Sequence, residues 1–223
     1  MKNIGGNVVT IDGPAGGGKS TAARNLAKRL NFDYLDTGAM YRTAALLGIR
    51  YRLDWNDPDA LVALTKRHSI KNRLGRTTLD EEDVSDAIRT TEVTQMTHFA
   101  ADNPKIREIM VRQQRENAVG RNLVTEGRDQ GTVVFPDAFC KFYLTASVAE
   151  RAKRRLNDLK KQGENADFDE LTRQIQLRDE RDSTRDVGPL RIPDDAITID
   201  SGPLTADEVV DIMEKEVRQR LAK

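Results

Sequence analysis

Residues 13–20 read Gly13-Pro14-Ala15-Gly16-Gly17-Gly18-Lys19-Ser20, small residues closed by a cation and a hydroxyl. Glycines leave successive backbone N–H groups free to curl around an anion. A helix starting at Lys19 would add about half a positive charge at the same point. Lys19 can bridge the β- and γ-phosphates of a triphosphate, and the Ser20 hydroxyl can ligate Mg²⁺. A glycine-rich turn that happens to end in Lys-Ser is the plain alternative. Further along, Glu126-Gly127-Arg128-Asp129 sets a guanidinium among acids. Such a set at a strand end can hold a ligand, and a buried Arg128–Asp129 ion pair is the alternative reading. Arg178, Arg181 and Arg185 recur at i, i+3 and i+7 and share one helical face with Asp182 nearby. Taken alone, they describe a solvated helix. Arg151 and Arg155 stand one helical turn apart.

The flanking segments decide the first of these readings. Val8–Asp12, Tyr34–Asp36, Leu123–Glu126, Lys141–Ala146 and Ala196–Asp200 read as buried strands, and Lys19–Leu30 reads as an amphipathic helix with Ala22, Ala23, Leu26, Ala27 and Leu30 on one stripe. Strand, loop and helix in that order are the context a phosphate loop requires. Strands alternating with helices predict an α/β fold with a parallel sheet covered on both faces. The Arg128–Asp129 pair then falls at the carboxyl end of a strand, the edge where open α/β sheets bind ligands. Ser147 to Glu150 and Thr205 to Glu208 read as capping boxes, the second with Leu204 and Val209 as a hydrophobic staple. Asp57-Pro58 reads as an N-cap followed by proline at the first helical position. Residues 66–95 are polar, with a hairpin signal at Leu74-Gly75-Arg76 and the acidic run Asp80-Glu81-Glu82-Asp83. Residues 151–187 are dense in charge of both signs. Both stretches read as insertions or mobile flaps rather than sheet elements.

Composition narrows the function class. The 223 residues suffice for one large α/β domain, and 36 Lys plus Arg balance 36 Asp plus Glu. That balance speaks against a general nucleic-acid binder. Cys140 is the only cysteine, so neither an intrachain disulfide nor a multi-cysteine zinc site can form, and its surroundings read as a buried strand. No apolar run approaches the roughly 20 residues of a membrane span. The start, Met1 to Gly6, is short and polar for a signal peptide. The expectation is a cytoplasmic protein. No Asn-Lys-x-Asp or Thr-Lys-x-Asp element for guanine occurs, and no apolar strand ends in Asp-Glu as motor and transporter ATPases require.

Four segments carry a resemblance. Asp12 to Thr21, Leu35-Asp36-Thr37-Gly38-Ala39-Met40-Tyr41-Arg42, Glu126 to Pro136, and Arg178 to Asp182 with Arg185 and Pro189-Leu190 together resemble the signature segments of bacterial cytidylate kinases. The resemblance runs in order along nearly the whole chain. It implies a P-loop kinase with a core of five parallel strands, helices on both faces, a monophosphate-binding insert and a short lid. On that pattern the core takes residues 1–36, 113–150 and 188–223. The monophosphate-binding part takes 37–112, with its extra polar insert at about 66–95, and the lid takes 151–187, all in one folding unit.

The resemblance also implies roles. Gly13, Pro14, Ala15, Gly16, Gly17, Gly18, Lys19, Ser20 and Thr21, with Arg151 and Arg155 from the lid, hold ATP. Ser20 and, through water, Glu126 hold Mg²⁺, with Asp12 and Asp36 as further outer candidates. Thr37, where the family usually has serine, contacts cytosine, and Arg42 grips the acceptor phosphate. Thr37 could equally serve, with Asp36, only to cap the following helix. Arg128 lies on the monophosphate, and Asp129 with Arg107 on the cytosine edge, whose donors and acceptors an acid and a guanidinium can match. The second hydroxyl contact to the base falls near Thr97, one residue further from Arg107 than the family spacing. Arg178 and Asp182 hold the ribose and Arg185 a phosphate, while Asp36 and Tyr41 complete the acceptor contacts. Lys19, Arg128, Arg178 and Arg185 are the expected catalytic cations.

The expected partners are the small molecules CMP and dCMP, with no nucleic acid or membrane and the chain working as a monomer. Neither histidine is needed, because an acceptor phosphate with a second pKa of about 6 is already largely dianionic near neutrality. The alternatives are a UMP or shikimate-type kinase and, from another class, a nucleotide-binding regulatory switch.

Overall fold

The strands, in chain order, are β1 Val8–Asp12, β2 Asp33–Asp36, β3 Ile70–Arg73, β4 Arg76–Leu79, β5 Glu82–Asp83, β6 Leu123–Gly127, β7 Cys140–Thr145 and β8 Ile197–Asp200. The helices are α1 Lys19–Leu30, α2 Thr37–Arg50, α3 Pro58–Arg67, α4 Thr91–Ala101, α5 Pro104–Ala118, α6 Val148–Lys161, α7 Phe168–Thr184 and α8 Ala206–Leu221. The structure is a computed structural model that describes residues 5–73, 75–161 and 163–222. Residues 1–4 of the polar start and Leu74 of the expected hairpin lie outside the described residues.

Five parallel strands form the main sheet in the order β2-β6-β1-β7-β8. Each residue of β1 is buried, because both faces of the sheet are covered. The pleat sorts the side chains: Val8 and Leu123 join the layer packed under α2, α4 and α5, whereas Val9, Ile11 and Val124 join the layer under α1 and α8. The register sets Asp36 opposite Glu126 and Asp12 opposite Gly127, so three acids end neighbouring strands at nearly the same height. The expected strands are found with their ends shifted by about a residue, and α1 has the expected bounds.

Caps fix where the helices start. Asp36 accepts the Ala39 N–H at 2.9 Å and Asp57 caps α3 ahead of Pro58. Thr205 and Glu208 form the full reciprocal box. At α6 only half of the expected box exists. Ser147 Oγ accepts the Glu150 N–H at 3.2 Å, but the Glu150 carboxylate turns to Lys153 at 3.0 Å, an ion pair one turn along that outcompetes the backbone donor.

Residues 66–95 correct the sequence reading. The stretch does carry sheet elements: the hairpin signalled around Gly75 is found as β3 and β4, and β5 joins them in a three-stranded antiparallel sheet. Its inward side alternates Ile70, Asn72, Thr77 and Leu79, so half of the pattern is polar and the strand signal is masked. Asn72 serves a purpose there: its Oδ1 accepts the Asp36 N–H at 2.9 Å and its Nδ2 donates to Thr77 at 2.8 Å, tying the small sheet to the end of β2. In the charge-dense stretch the helices α6 and α7 pack against each other. In α7 only Leu171 is buried, and Leu177 is exposed, so that helix has little apolar anchorage.

Cys140 is fully buried in the layer under α1 and α8, and burial pushes its thiol up to about 11. Its reaction with a disulfide reagent at pH 8 is expected to run at least ~10²-fold slower than in the urea-unfolded chain, because only the exposed thiolate reacts. Timed release of the coloured thiol from the reagent checks this.

Candidate active site

The loop after β1 is built against β7. Gly13 must lack a side chain, since a Cβ there would run into the Leu144 carbonyl. The Lys19 ammonium folds back inside the loop and donates to the Pro14 carbonyl at 2.7 Å. Burial, then the nearby Arg128 charge, lowers the Lys19 pKa to about 7. Ser20, on the first turn of α1, donates to Glu126 Oε1 at 2.8 Å, and Thr21 beside it is exposed. Burial and the neighbouring Asp36 charge raise the Glu126 pKa.

Three further groups brace the loop from outside. Arg151, almost fully buried, donates to the carbonyls of Ala146 at 3.0 Å and Ala15 at 3.1 Å and to the Asp179 carboxylate at 2.6 Å. One guanidinium therefore joins the loop, the end of β7 and α7. Ser201 donates to the Gly17 carbonyl at 3.1 Å and is itself held by Arg154, whose Nη1 lies 3.0 Å from its hydroxyl and Nη2 2.5 Å from its carbonyl. Arg155, expected from the resemblance to approach ATP, is exposed and makes no ion pair among the described residues, whereas its neighbour Arg154, which the sequence does not single out, braces the loop. Arg154 lies three residues from Arg151 and Arg155 four, and both spacings place a side chain near the same face.

The second wall is the turn after β6. The Arg128–Asp129 ion pair, left open by the sequence, does not form. Arg128 Nε donates to Asp182 of α7 at 2.7 Å, and Asp129 pairs with Arg107 of α5. Adjacent residues thus point to different helices. Burial alone would raise the Asp182 carboxyl, but the Arg128 charge and hydrogen bond outweigh it and hold it below the usual range. Arg107 also stands over the Tyr41 ring, 5.7 Å from its centroid, and burial pushes the Tyr41 hydroxyl up to about 12. Arg185, just past α7, donates to the Gly188 carbonyl at 2.7 Å. Gly188 covers the Arg107–Asp129 pair so closely, at φ +61°, that no Cβ fits between them.

Thr37 donates its hydroxyl to the Glu126 carbonyl at 2.7 Å and Asp36 caps α2, so this segment has the capping role that spacing alone left open. Thr97 donates to the Val93 carbonyl inside α4 at 2.6 Å and makes no hydrogen bond to the acceptor-side residues. Asp12 gives both carboxylate oxygens to backbone amides of the turn, Gln130 at 2.9 Å and Gly131 at 2.7 Å. Burial pushes its pKa up to about 7 against the pull of those two donors.

Between the two walls the positive charges converge. Burial comes first in lowering each of Lys19, Arg42 and Arg178, and Arg128 lowers all three further. Arg178 is open to solvent as a residue, yet the dense walls around its guanidinium bring it down to about 10. These cations make one another harder to charge, a condition that a bound polyanion relieves.

The donor set also suits Mg²⁺. Ser20 and Glu126 are hard oxygen donors in hydrogen-bond contact beside the phosphate loop. No cluster of three His, Cys, Asp or Glu side chains able to hold a metal gathers among the described residues. Magnesium is commonly held by one or two protein oxygens with substrate phosphates and water completing the shell.

The cytidylate kinase family model matches residues 9–219. The cytidylate kinase of Caldanaerobacter subterraneus subsp. tengcongensis is 45% identical over 211 residues, covering 95% of this chain and 94% of its own length. That of Rhodopirellula baltica is 44% identical over 212 residues, covering 95% and 93%. Among solved structures, a gluconokinase from Sinorhizobium meliloti 1021 superposes with a TM-score of 0.50 at 14% identity, over 98% of this chain and 94% of its own, a likeness of fold alone. A family model matched over residues 9–219, with relatives 44–45% identical along almost the full length of both sequences, makes this chain a member of the cytidylate kinase family.

Proposed function

We propose that the protein transfers the γ-phosphoryl group of ATP to CMP or dCMP, giving ADP and CDP or dCDP. The observation that carries this reading is the gathering of Lys19, Arg42 and Arg178 around Arg128, which links the phosphate loop to the acceptor turn: burial and the Arg128 charge lower the first three, while Asp182 keeps Arg128 charged. The triphosphate lies in the loop 13–20, with Lys19 leaving the Pro14 carbonyl for the γ-phosphate. Ser20 and, through water, Glu126 would hold Mg²⁺, which when bound neutralises charge on the β- and γ-phosphates. The acceptor lies along the second wall, its phosphate between Arg42 and Arg128 and its base toward Asp129 and Arg107. Arg178 and Asp182 approach the ribose from α7, with Arg185 next to the base-reading pair.

A phosphate oxygen of the acceptor attacks the γ-phosphorus, the bond to the bridging oxygen breaks, and ADP departs with that electron pair. The acceptor is already a dianion, so no side chain has to remove a proton. The enzyme's contribution is alignment and charge neutralisation in a site from which α6 and α7 exclude water. Arginine suits the task because its planar fork binds phosphate oxygens in pairs.

ADP release from ATP and Mg²⁺, measured across CMP, dCMP, UMP, AMP and shikimate, tests the reading. CMP and dCMP are expected to give the highest kcat/KM. Equal turnover of every monophosphate, or turnover of shikimate alone, overturns it.

A further inference from the structure

One buried carboxylate has no part in the chemistry above. Asp12 closes β1 immediately before the phosphate loop and is fully buried. The cation that acts on it, Lys19, makes its hydrogen bond elsewhere, to the Pro14 carbonyl. What Asp12 holds is backbone: Oδ1 takes the Gln130 N–H at 2.9 Å and Oδ2 the Gly131 N–H at 2.7 Å. Two successive amides aimed at one carboxylate form a small anion-binding concavity, here filled from within the protein.

These amides begin a single π-type turn, Gln130–Val134, directly after the two acceptor residues. Such turns recur where a chain must re-aim side chains at a site. Its far end is held by Arg115, which donates to the Val134 and Val133 carbonyls at 2.9 Å each. Its first residue is pinned by its side chain as well, since Gln130 accepts from Thr125 at 3.0 Å and donates to Gln114 at 3.1 Å. Gly131 lies so close to Thr10 and Pro193 that a Cβ would come within 3.0 Å of each. The leading edge, where Arg128 and Asp129 diverge toward Asp182 and Arg107, has its amides fixed by Asp12.

We propose that Asp12 is a positioning residue that anchors the acceptor turn to the floor of the phosphate loop, so that the spacing between the two phosphates is set inside the protein. This rests on the acceptor assignment given above for Arg128 and Asp129. An asparagine there keeps one acceptor but turns an N–H₂ group toward a backbone N–H, and two donors facing each other push the turn away. A misplacement of about 1 Å at reacting groups can cost ~10²-fold in rate.

For Asp12→Asn, kcat/KM for CMP is therefore expected to fall by ~10²-fold, with ATP affinity, measured by calorimetry without acceptor, changed less than about threefold, within the spread of an indirect effect. Amide hydrogen exchange in the peptide covering 128–135 should rise selectively. A folded variant that leaves CMP kinetics unchanged, or that weakens ATP and CMP in parallel, overturns the proposal. Should Asp12→Asn fail to fold, Arg115→Ala at the far end of the turn decides: a loss confined to CMP supports a positioned turn, and unchanged kinetics overturns it. If the wild-type protein turns over no CMP, the acceptor assignment fails by itself, and exchange at 128–135 still reports whether Asp12 holds the turn.

Discussion

Replacing Arg128 with alanine is expected to lower kcat/KM for CMP by on the order of 10³-fold, the scale on which a charged contact to a transferring phosphoryl group acts. Arg128 is the common neighbour of Lys19, Arg42 and Arg178 and the hydrogen-bond partner of Asp182. Its loss removes the guanidinium assigned to the acceptor phosphate and leaves the Asp182 carboxylate unpaired at that wall. Arg128→Lys keeps the charge but not the fork and should fall between the two. The fold should persist, because Arg128 contributes to neither apolar layer. Steady-state kinetics beside circular dichroism check both halves. Near wild-type kcat/KM in the alanine variant would remove the acceptor wall from the mechanism.

Lys19→Met should act on the other substrate with an unusual sign in stability. Turnover is expected to drop by ~10³-fold or more, since the cation that spans the β- and γ-phosphates is gone. CMP binding by calorimetry should survive. The unliganded protein, however, should melt at the same temperature or higher. Burial, then the Arg128 and Arg178 charges, outweigh Glu126 and Asp12 and lower native Lys19 to about 7, so its ammonium is disfavoured by folding. A methionine of similar length gives up a single hydrogen bond to Pro14 and relieves that penalty. A marked fall in melting temperature would show that the lysine supports the loop rather than the ligand.

Much of this arrangement is legible in the sequence, for local reasons. The phosphate loop is a contiguous run whose flanks announce themselves by buried β-branched residues on one side and a 3.6-residue stripe on the other. The pairing of charges is not legible in the same way. Arg107 finds Asp129 across 22 residues and Arg128 finds Asp182 across 54, while the adjacent pair that spacing suggests stays apart. Only the fold decides which guanidinium meets which carboxylate. The small sheet β3-β4-β5 shows in the sequence only as a hairpin signal, because Asn72 and Thr77 occupy inward positions where a strand pattern expects apolar side chains. Arg154 was missed because one residue of helical phase separates a brace of the loop from a solvated neighbour. Asp12 opens the phosphate-loop segment and reads as an outer magnesium candidate, but its anchoring role is not legible, since its partners are backbone amides more than a hundred residues away.

The matching heights of Asp12, Asp36 and Glu126 along the sheet make strand length a stricter constraint than strand composition. Exchanging one aliphatic residue for another within β6 changes packing but keeps the count from ladder to loop. Deleting a single residue there would swing the glutamate to the opposite side of the pleat and drag the arginine turn one step back from its cradle. The rungs of the ladder act as a ruler, and indels in these five segments should be far less tolerated than in the surface connections.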